Sequence, residues 1–372
     1  MRTIALDGSP GGVDALVDAL AAALDGGPAV LPHTGPAPAT PGPPPATAVV
    51  IATSGSTGRP RHVALTAAAL RASAGATAAR LGGPARWLLA LPAEHVAGVQ
   101  VIVRALLAGA PPAVQDLRPG FRADAFAAVT DGLGPGPRHT SLVPTQLLRL
   151  LDAGGPALDA LRSYRAVLVG GAALDADLRR RALDAGVAVV TTYGMSETAG
   201  GCVYDGVPLD GVTVDLEADG RIVLGGPTLA TGYLGGPPFG GRFRTGDLGR
   251  LVGGRLEVLG RADDVIVTGG ENVAPAAVER VLVAQPGVRA ACVVGIPDVR
   301  WGQVVAAAVV PGPGRPGDDG LRDAVRAALG RAAVPRRIVD VAEIPVRGIG
   351  KPDRAAVTRL VTVTGGLEPP SG

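Results

Sequence analysis

Short apolar runs of strand length recur along the amino-terminal half of the chain, and helical stretches separate them. Residues 48–52, 88–91, 166–169 and 187–191 are such runs, and residues 177–185 have a helical pattern. A strand that is followed by a helix usually pairs in parallel with a later strand, because the helix carries the chain back along the sheet. The sequence therefore predicts an α/β fold with mostly parallel sheets.

The second half of the chain has a different texture. Short strand signals separated by glycine-rich turns predict a β-rich subdomain at about 211–260, within a large amino-terminal domain of residues 1–260. Strand and helix candidates alternate again beyond that point, for example at 265–268 and 275–284. We expect a separate, small and mobile α+β carboxy-terminal domain over residues 261–372.

Composition excludes several classes of function. The formal net charge is +2 and runs of like charge are short, so nucleic acid is not an expected partner. No apolar run approaches the roughly 20 residues that cross a bilayer, and no leader pattern opens the chain, so we expect no membrane association. Cys202 and Cys292 have no metal-ligand spacing, which fits a reduced, cytoplasmic setting. The sequence leaves the oligomeric state open, a homodimer included.

The basic residues are unevenly chosen. Of the 35 lysines and arginines, only Lys351 is a lysine, so 34 are arginines. Arginine supplies positive charge as well as lysine does at most surfaces, but it cannot replace a compact ammonium that must fit between two anionic groups. Composition alone leaves two explanations open, which are chance retention in an exposed loop and a chemical role that requires an ammonium.

Hydroxyl-bearing residues and glycines dominate residues 53–61, directly after the first predicted strand. Glycines let backbone N–H groups approach a polyphosphate closely, hydroxyls add donors, and arginines add charge. The segment lacks the Gly-x-x-x-x-Gly-Lys-Ser/Thr spacing of a Walker A loop. A plain polar turn is the alternative to a phosphate-binding loop. The segment reads Thr53-Ser54-Gly55-Ser56-Thr57-Gly58-Arg59-Pro60-Arg61.

This segment resembles the phosphate-binding loop of the acyl-adenylate-forming enzymes, a family that includes the acyl-CoA synthetases. One such motif is unspecific, but five further motifs of the family follow in its usual order, over about residues 48–354. These are Tyr193-Gly194-Met195-Ser196-Glu197-Thr198, Thr245-Gly246-Asp247, Gly260-Arg261-Ala262-Asp263-Asp264, Gly269-Gly270-Glu271-Asn272-Val273 and Gly348-Ile349-Gly350-Lys351.

The resemblance implies a ligase that activates a small carboxylic acid and uses ATP, Mg²⁺ and coenzyme A. It implies that Glu197 holds Mg²⁺, which prefers carboxylate and phosphate oxygens. Asp247 offers two acceptor oxygens to the ribose hydroxyls, and Arg261 offers donors to the same nucleotide. The implied nucleotide site comprises Thr53, Ser54, Gly55, Ser56, Thr57, Gly58, Arg61, Tyr193 against the adenine, Ser196, Asp247 and Arg261.

The resemblance also implies two half-reactions. Lys351 would lie between the substrate carboxylate and the α-phosphate during adenylation, where negative charge gathers. The carboxy-terminal domain would then pivot at Asp263, and coenzyme A would attack the acyl-AMP. Gly269 and Gly270 would let the pantetheine arm pass close to the backbone, and a plain turn is their alternative role.

The acid itself is implied only by resemblance. Residues 91–98 resemble a family segment in which a histidine or an aromatic residue lines the acyl pocket, so His95 is the candidate there. A hydrogen-bonded structural histidine is the alternative. Gly170, Gly171 and Gly194 would complete this pocket. The short chain and residues 195–211 resemble the o-succinylbenzoate–CoA ligases of menaquinone biosynthesis.

Three alternatives stay open at this point. A ligase for another aromatic or aliphatic acid would share every motif named above, and a stand-alone adenylation protein would load a carrier without releasing acyl-CoA. Arg61 stands where the family usually has lysine, which leaves room for a homologue that binds nucleotide without catalysis. Retention of Glu197 and Lys351 argues against that third alternative.

We predict that Lys351→Ala abolishes acyl-AMP formation, because the ammonium is needed while the carboxylate attacks phosphorus. Thioester formation from supplied, synthetic acyl-AMP should continue. The two half-reactions are measured separately, by pyrophosphate release and by thioester yield. Equal loss of both activities in a folded protein would contradict a role confined to adenylation.

Overall fold

Three of the four predicted strands lie in a seven-stranded sheet. The computed structural model describes residues 1–53, 61–347 and 351–363. Five adjacent strands of this sheet pair in parallel. The predicted run at 187–191 begins two residues later than expected, at Val189. The two remaining strands pair antiparallel, so the sheet is mixed. In spatial order its strands are Val207–Pro208, Gly200–Tyr204, Val189–Met195, Ala166–Val169, Arg138–Leu142, Arg86–Leu89 and Ala113–Val114.

A second sheet carries both ends of the predicted phosphate loop. The predicted strand at 48–52 is confirmed within Thr47–Thr53, whose first five residues are buried. It pairs antiparallel with Arg61–Thr66, and Thr53 lies opposite Arg61. The spatial order of the strands is Arg2–Ala5, Val30–His33, Thr47–Thr53, Arg61–Thr66 and Gly232–Tyr233.

Side-chain caps begin three of the helices in this part of the chain. The side-chain oxygens of Ser9, Thr66 and Asp175 accept hydrogen bonds from backbone N–H groups three residues later, at 3.0 to 3.1 Å. The last of these caps starts the predicted helix at 177–185 one residue early. The helices are Pro10–Leu24, Ala67–Arg80, Val96–Leu107, Ala123–Asp131, Pro144–Ala153, Gly155–Arg162 and Ala176–Asp184.

The region predicted to be rich in β-structure is confirmed. Glycine-containing turns, and not helices, connect its strands. Thr213–Leu216, Arg221–Gly225, Arg242–Val252 and Arg255–Arg261 form a four-stranded sheet in that order.

Alternating residues of a long hairpin fill two small cores in the carboxy-terminal part of the chain. On the strand Val288–Asp298, Val293 packs with Val278 and Leu321 of two helices, whereas Cys292 faces the opposite core with Val357. This period of two explains why residues 304–310 of the partner strand are buried on both faces. The elements are Ile266–Thr268, Glu271–Val273, Pro275–Val283, Val288–Asp298, Gly302–Pro311, Asp318–Leu329, Arg337–Asp340, Val346–Arg347, Lys351–Pro352 and Arg354–Val363.

The chain divides into two compact units. Both cysteines, Cys202 and Cys292, are free and buried. Within the described residues no helix has the length and apolar content needed to cross a membrane. The predicted border between residues 260 and 261 stays a prediction. The first unit comprises Met1–Asp215, Val223–Arg244 and Gly253–Leu256, and the second Leu216–Ile222, Thr245–Val252 and Glu257–Gly372.

We predict that Gly194→Ala destabilises the protein by about 1–3 kcal/mol, because overpacking must push two strands apart. A Cβ at Gly194 would lie 2.1 Å from the Gly200 carbonyl oxygen and 2.7 Å from the Gly201 Cα. The control is Gly75→Ala in the helix Ala67–Arg80, where a Cβ meets nothing within 4 Å. That change should raise the free energy of unfolding by at most about 1 kcal/mol. The free energy of unfolding by urea is measured, and a Gly194→Ala protein as stable as the wild type would contradict the strand contact.

Candidate active site

Parallel pairing brings three of the predicted motifs to one edge of the seven-stranded sheet. The strands Arg86–Leu89, Ala166–Val169 and Val189–Met195 end at the same edge, as parallel neighbours do. The chain beyond these ends contains the predicted substrate and nucleotide residues His95, Gly170, Gly171, Ser196 and Glu197. Residues that are far apart in sequence therefore follow neighbouring strand ends.

A locked turn presents Glu197. The Thr198 hydroxyl accepts a hydrogen bond from the Met195 N–H at 2.9 Å and lies 2.8 Å from the Gly200 carbonyl oxygen, to which it donates. Ala199 adopts a left-handed conformation with φ of 50°, and the buried Ser73 hydroxyl donates to its carbonyl. A non-glycine residue in that conformation needs such support. The turn fixes the direction of the Glu197 side chain.

Tyr233 connects Glu197 with the phosphate loop. Its hydroxyl donates a 2.7 Å hydrogen bond to Glu197 Oε1, and both side chains are half-buried. Burial, followed by the hydrogen bond and charge of Glu197, raises the pKa of Tyr233 above its ordinary value. The guanidinium carbon of Arg61 lies 5.0 Å from the Tyr233 ring centroid, within range of a cation–π contact. One tyrosine therefore orients a carboxylate and a cation.

Glu197 has the features of a magnesium ligand. Among the described residues, its Oε2 oxygen accepts no hydrogen bond, and no group of three or more His, Cys, Asp or Glu residues could hold a metal ion alone. Mg²⁺ in phosphoryl-transfer sites is usually held by one or two carboxylates together with substrate phosphates. The residues present fit a magnesium ion that arrives with a nucleotide.

The two ends of the phosphate loop are joined by a hydrogen bond, since the Thr53 hydroxyl donates to the Arg61 carbonyl at 3.2 Å. Arg61 is exposed. Ser54, Gly55, Ser56, Thr57 and Gly58 lie outside the described residues, so their contacts with phosphate stay predictions.

The backbone conformation and packing by themselves require glycine at the predicted pocket positions. A Cβ at Gly170 would lie 2.2 Å from the Thr192 hydroxyl, and Gly171 has a φ of +80°. Gly194 lies opposite Gly201, where the two strands pass too closely for a Cβ. Tyr193 precedes it on the same strand and is half-buried. The roles of these residues toward adenine and the acid stay predictions.

His95 immediately precedes the helix Val96–Leu107, and its side chain does not cap that helix. Its side chain is half-buried and makes no cap hydrogen bond, so the ring is not committed to the helix end. This observation is compatible with the predicted role at the acid and does not test it.

Three predicted residues form one polar cluster in the second unit. Arg261 donates to Asp247 Oδ1 and to Asp263 Oδ2, at 3.3 Å each. A Cβ at Gly246 would lie 2.5 Å from Arg261 Nη2, so the glycine makes room for the guanidinium. The Asp247 carboxylate is 13% exposed, whereas that of Asp263 is 60% exposed. The sequence identified these residues as nucleotide and hinge candidates, but it did not show that they contact one another.

The remaining candidates of the second unit lie in short strands or turns. Gly269 and Gly270 have φ of +57° and +85°, and Gly269 leaves no room for a Cβ beside Trp301. These values confirm the turn, and a path for coenzyme A stays a prediction. Lys351 lies in the strand Lys351–Pro352, which pairs with Val346–Arg347. The three residues before it in the motif, 348–350, lie outside the described residues.

Comparisons with known proteins agree with this arrangement. The AMP-binding enzyme family matches residues 10–234, and the carboxy-terminal domain of AMP-binding enzymes matches residues 277–351. The chain belongs to the AMP-binding enzyme family. The predicted resemblance to acyl-adenylate-forming enzymes and the predicted fold class are thereby confirmed.

Individual relatives narrow the comparison. A probable 2-succinylbenzoate–CoA ligase of Mycobacterium tuberculosis is 48% identical over 322 residues, which are 84% of this chain and 84% of the relative. The o-succinylbenzoate CoA synthetase of Bacillus subtilis, in complex with its acyl-adenylate intermediate OSB-AMP, has a TM-score of 0.73 at 29% identity and covers 84% of this chain and 69% of that one. The same enzyme in complex with ATP and a magnesium ion has a TM-score of 0.72 at 28% identity, with coverages of 83% and 69%.

Sequence reasoning missed Tyr233 as a member of this AMP-binding enzyme's site. The dipeptide Gly232–Tyr233 forms a two-residue strand at the edge of the sheet that carries Arg61. Only the rarity of tyrosine, with four in the chain, could have drawn attention to it.

We predict that Tyr233→Phe raises the Mg²⁺ concentration needed for half-maximal pyrophosphate release by about tenfold, the size of effect expected when a ligand's outer partner is lost. The phenyl ring would keep the Arg61 contact. The matched control is Tyr164→Phe, which removes a buried hydroxyl that hydrogen-bonds only Thr130 among the described residues, at 2.8 Å. An unchanged Mg²⁺ requirement in Tyr233→Phe would mean that the tyrosine does not orient Glu197.

Proposed function

We propose that this chain converts o-succinylbenzoate to o-succinylbenzoyl-CoA through an acyl-AMP intermediate, and that it serves menaquinone biosynthesis. The observation that carries the substrate is the 48% identity to a probable 2-succinylbenzoate–CoA ligase across 84% of both chains. The joined set of Glu197, Tyr233 and Arg61 at the phosphate loop supports the reaction class.

In the first half-reaction, the substrate carboxylate attacks the α-phosphorus of ATP and pyrophosphate leaves. Arg61 and the loop 53–61 contact the polyphosphate, and Asp247 and Arg261 contact the ribose. Glu197 would hold Mg²⁺, which would neutralise phosphate charge. Lys351 acts at the oxygens on which negative charge grows, and its compact ammonium can approach both anionic groups.

In the second half-reaction, the coenzyme A thiol attacks the acyl carbon and AMP leaves. The backbone change between the two steps is assigned to Asp263, which is 60% exposed and is held by one 3.3 Å bond to Arg261. A surface pair of this kind contributes at most about 1 kcal/mol and therefore opposes a rotation weakly. Gly269 and Gly270 would border the pantetheine arm.

The acid would lie beside His95, Gly170, Gly171 and Gly194. We place the reaction in the cytoplasm, since both cysteines are free thiols and such thiols persist in reducing compartments. A homodimer and the absence of a nucleic-acid partner stay predictions.

We predict that incubation with o-succinylbenzoate, ATP, Mg²⁺ and coenzyme A yields the CoA thioester, AMP and pyrophosphate, identified by mass spectrometry. Benzoate and a fatty acid serve as competing acids, and Lys351→Ala serves as the inactive control. Release of ADP would contradict an adenylate mechanism. Faster reaction of another acid would keep the reaction class and overturn the substrate.

A further inference from the structure

Arg354 is bound by three separate elements of the second unit. Its Nε donates to Asp264 Oδ2 at 2.8 Å, and its Nη1 donates to both Glu279 Oε1 and the Val293 carbonyl at 2.6 Å. Its Nη2 reaches Glu279 Oε2 at 3.3 Å. These acceptors lie on the turn Ala262–Asp264, a helix and a strand, so one guanidinium joins all three.

This arrangement requires the fork of an arginine. A guanidinium has five N–H donors in fixed directions, whereas an ammonium is a point charge with three. Glu279 is itself oriented by the Val293 N–H, which donates to its Oε1 at 2.8 Å. Burial on its own lowers the pKa of Arg354, but its bonds to Glu279 raise it above the ordinary value, so the side chain stays charged.

The chain leads directly from this anchor to Lys351. Arg354 is the first residue of the helix Arg354–Val363, and Asp353 caps that helix through a 3.0 Å bond from the Ala356 N–H. The Asp353 N–H donates to the Pro345 carbonyl at 2.7 Å. Pro352 lies between Asp353 and Lys351, and its ring fixes its own φ angle. Three residues span at most about 10 Å, so the anchor restricts the backbone of Lys351.

The same anchor contacts the residue next to the predicted hinge, Asp263. Asp264 follows Asp263 in sequence, and the two carboxylates bind different arginines, since Asp263 accepts from Arg261. Arg354 therefore links the segment of the lysine to the residue next to the predicted pivot, entirely within the second unit.

We propose that Arg354 is a positioning residue that sets the location of Lys351 for adenylation; this inference rests on the proposed function. A purely structural role is the competing explanation. Partly buried ion pairs add little net stability, because desolvation offsets much of the attraction, whereas they do fix geometry. Displacing a catalytic group by about 1 Å can lower a rate by about a hundredfold.

The first test separates the half-reactions in two variants. Arg354→Lys keeps the positive charge, but a lysine cannot donate to all the acceptors that Arg354 binds. Glu279→Gln is a milder change, which serves as the test if the Arg354→Lys protein does not fold. Each should lower the kcat of adenylation by about tenfold or more, with the KM for ATP and thioester formation from supplied acyl-AMP within about twofold. The matched control is Arg359→Lys, an exposed arginine of the same helix, which should behave as the wild type.

A double-mutant cycle then tests whether Arg354 acts through Lys351. In a Lys351→Ala background, Arg354→Lys should cause no further loss of residual adenylation, measured with excess enzyme. The same fractional loss in both backgrounds, or equal losses of both half-reactions, would overturn the proposal. If the wild type prefers another acid, the cycle is measured with that acid, so a wrong substrate does not affect it.

A third measurement needs no substrate. Lys351 is the only lysine of the chain, so an amine reagent labels no other lysine. Its labelling is followed by mass spectrometry of the peptide that contains it, in the wild type and in the variants Arg354→Met and Glu279→Gln. Loss of the anchor should move the labelling rate toward that of the urea-unfolded chain, whereas Arg359→Met should leave it unchanged. Labelling at the wild-type rate in both anchor variants would overturn the proposal, whatever reaction the protein catalyses.

Discussion

Parallel pairing of five strands is the constraint on which the site of the first unit depends. Parallel neighbours end at one edge of a sheet, so the segments after Leu89, Val169 and Met195 must emerge together. The histidine, the glycine pair and the Glu197 turn follow these three ends. An antiparallel arrangement would place alternate segments at opposite edges and would separate them.

Close backbone approach is the second constraint. The strands that carry Gly194 and Gly201 pass so near to each other that a Cβ would meet a carbonyl oxygen at 2.1 Å. The same crowding occurs between Gly170 and the Thr192 hydroxyl. Glycines that the family resemblance assigned to a substrate pocket therefore also meet a requirement of the sheet, and their presence by itself does not reveal the ligand.

Anionic and cationic groups are held in pairs that leave specific atoms available. Tyr233 takes one oxygen of Glu197 and leaves the other for a cation, while its ring faces Arg61. Arg261 contacts the ribose candidate Asp247 and the hinge candidate Asp263. In the same unit, Arg354 binds both Asp264 and Glu279. In each of the last two groups the fork of one arginine joins two carboxylates.

The sequence by itself determined the α/β class, the β-rich region and the ordered motifs, because hydrophobic period and turn residues act over a few positions. It also singled out Lys351 by composition. It did not show the antiparallel strand Gly200–Tyr204, the bond from Tyr233 to Glu197 across 36 positions, or the bonds from Arg354 to Glu279 and Asp264 across 75 and 90. Such partners are chosen by how distant elements pack, and no local pattern encodes that choice; only the tertiary structure decided them.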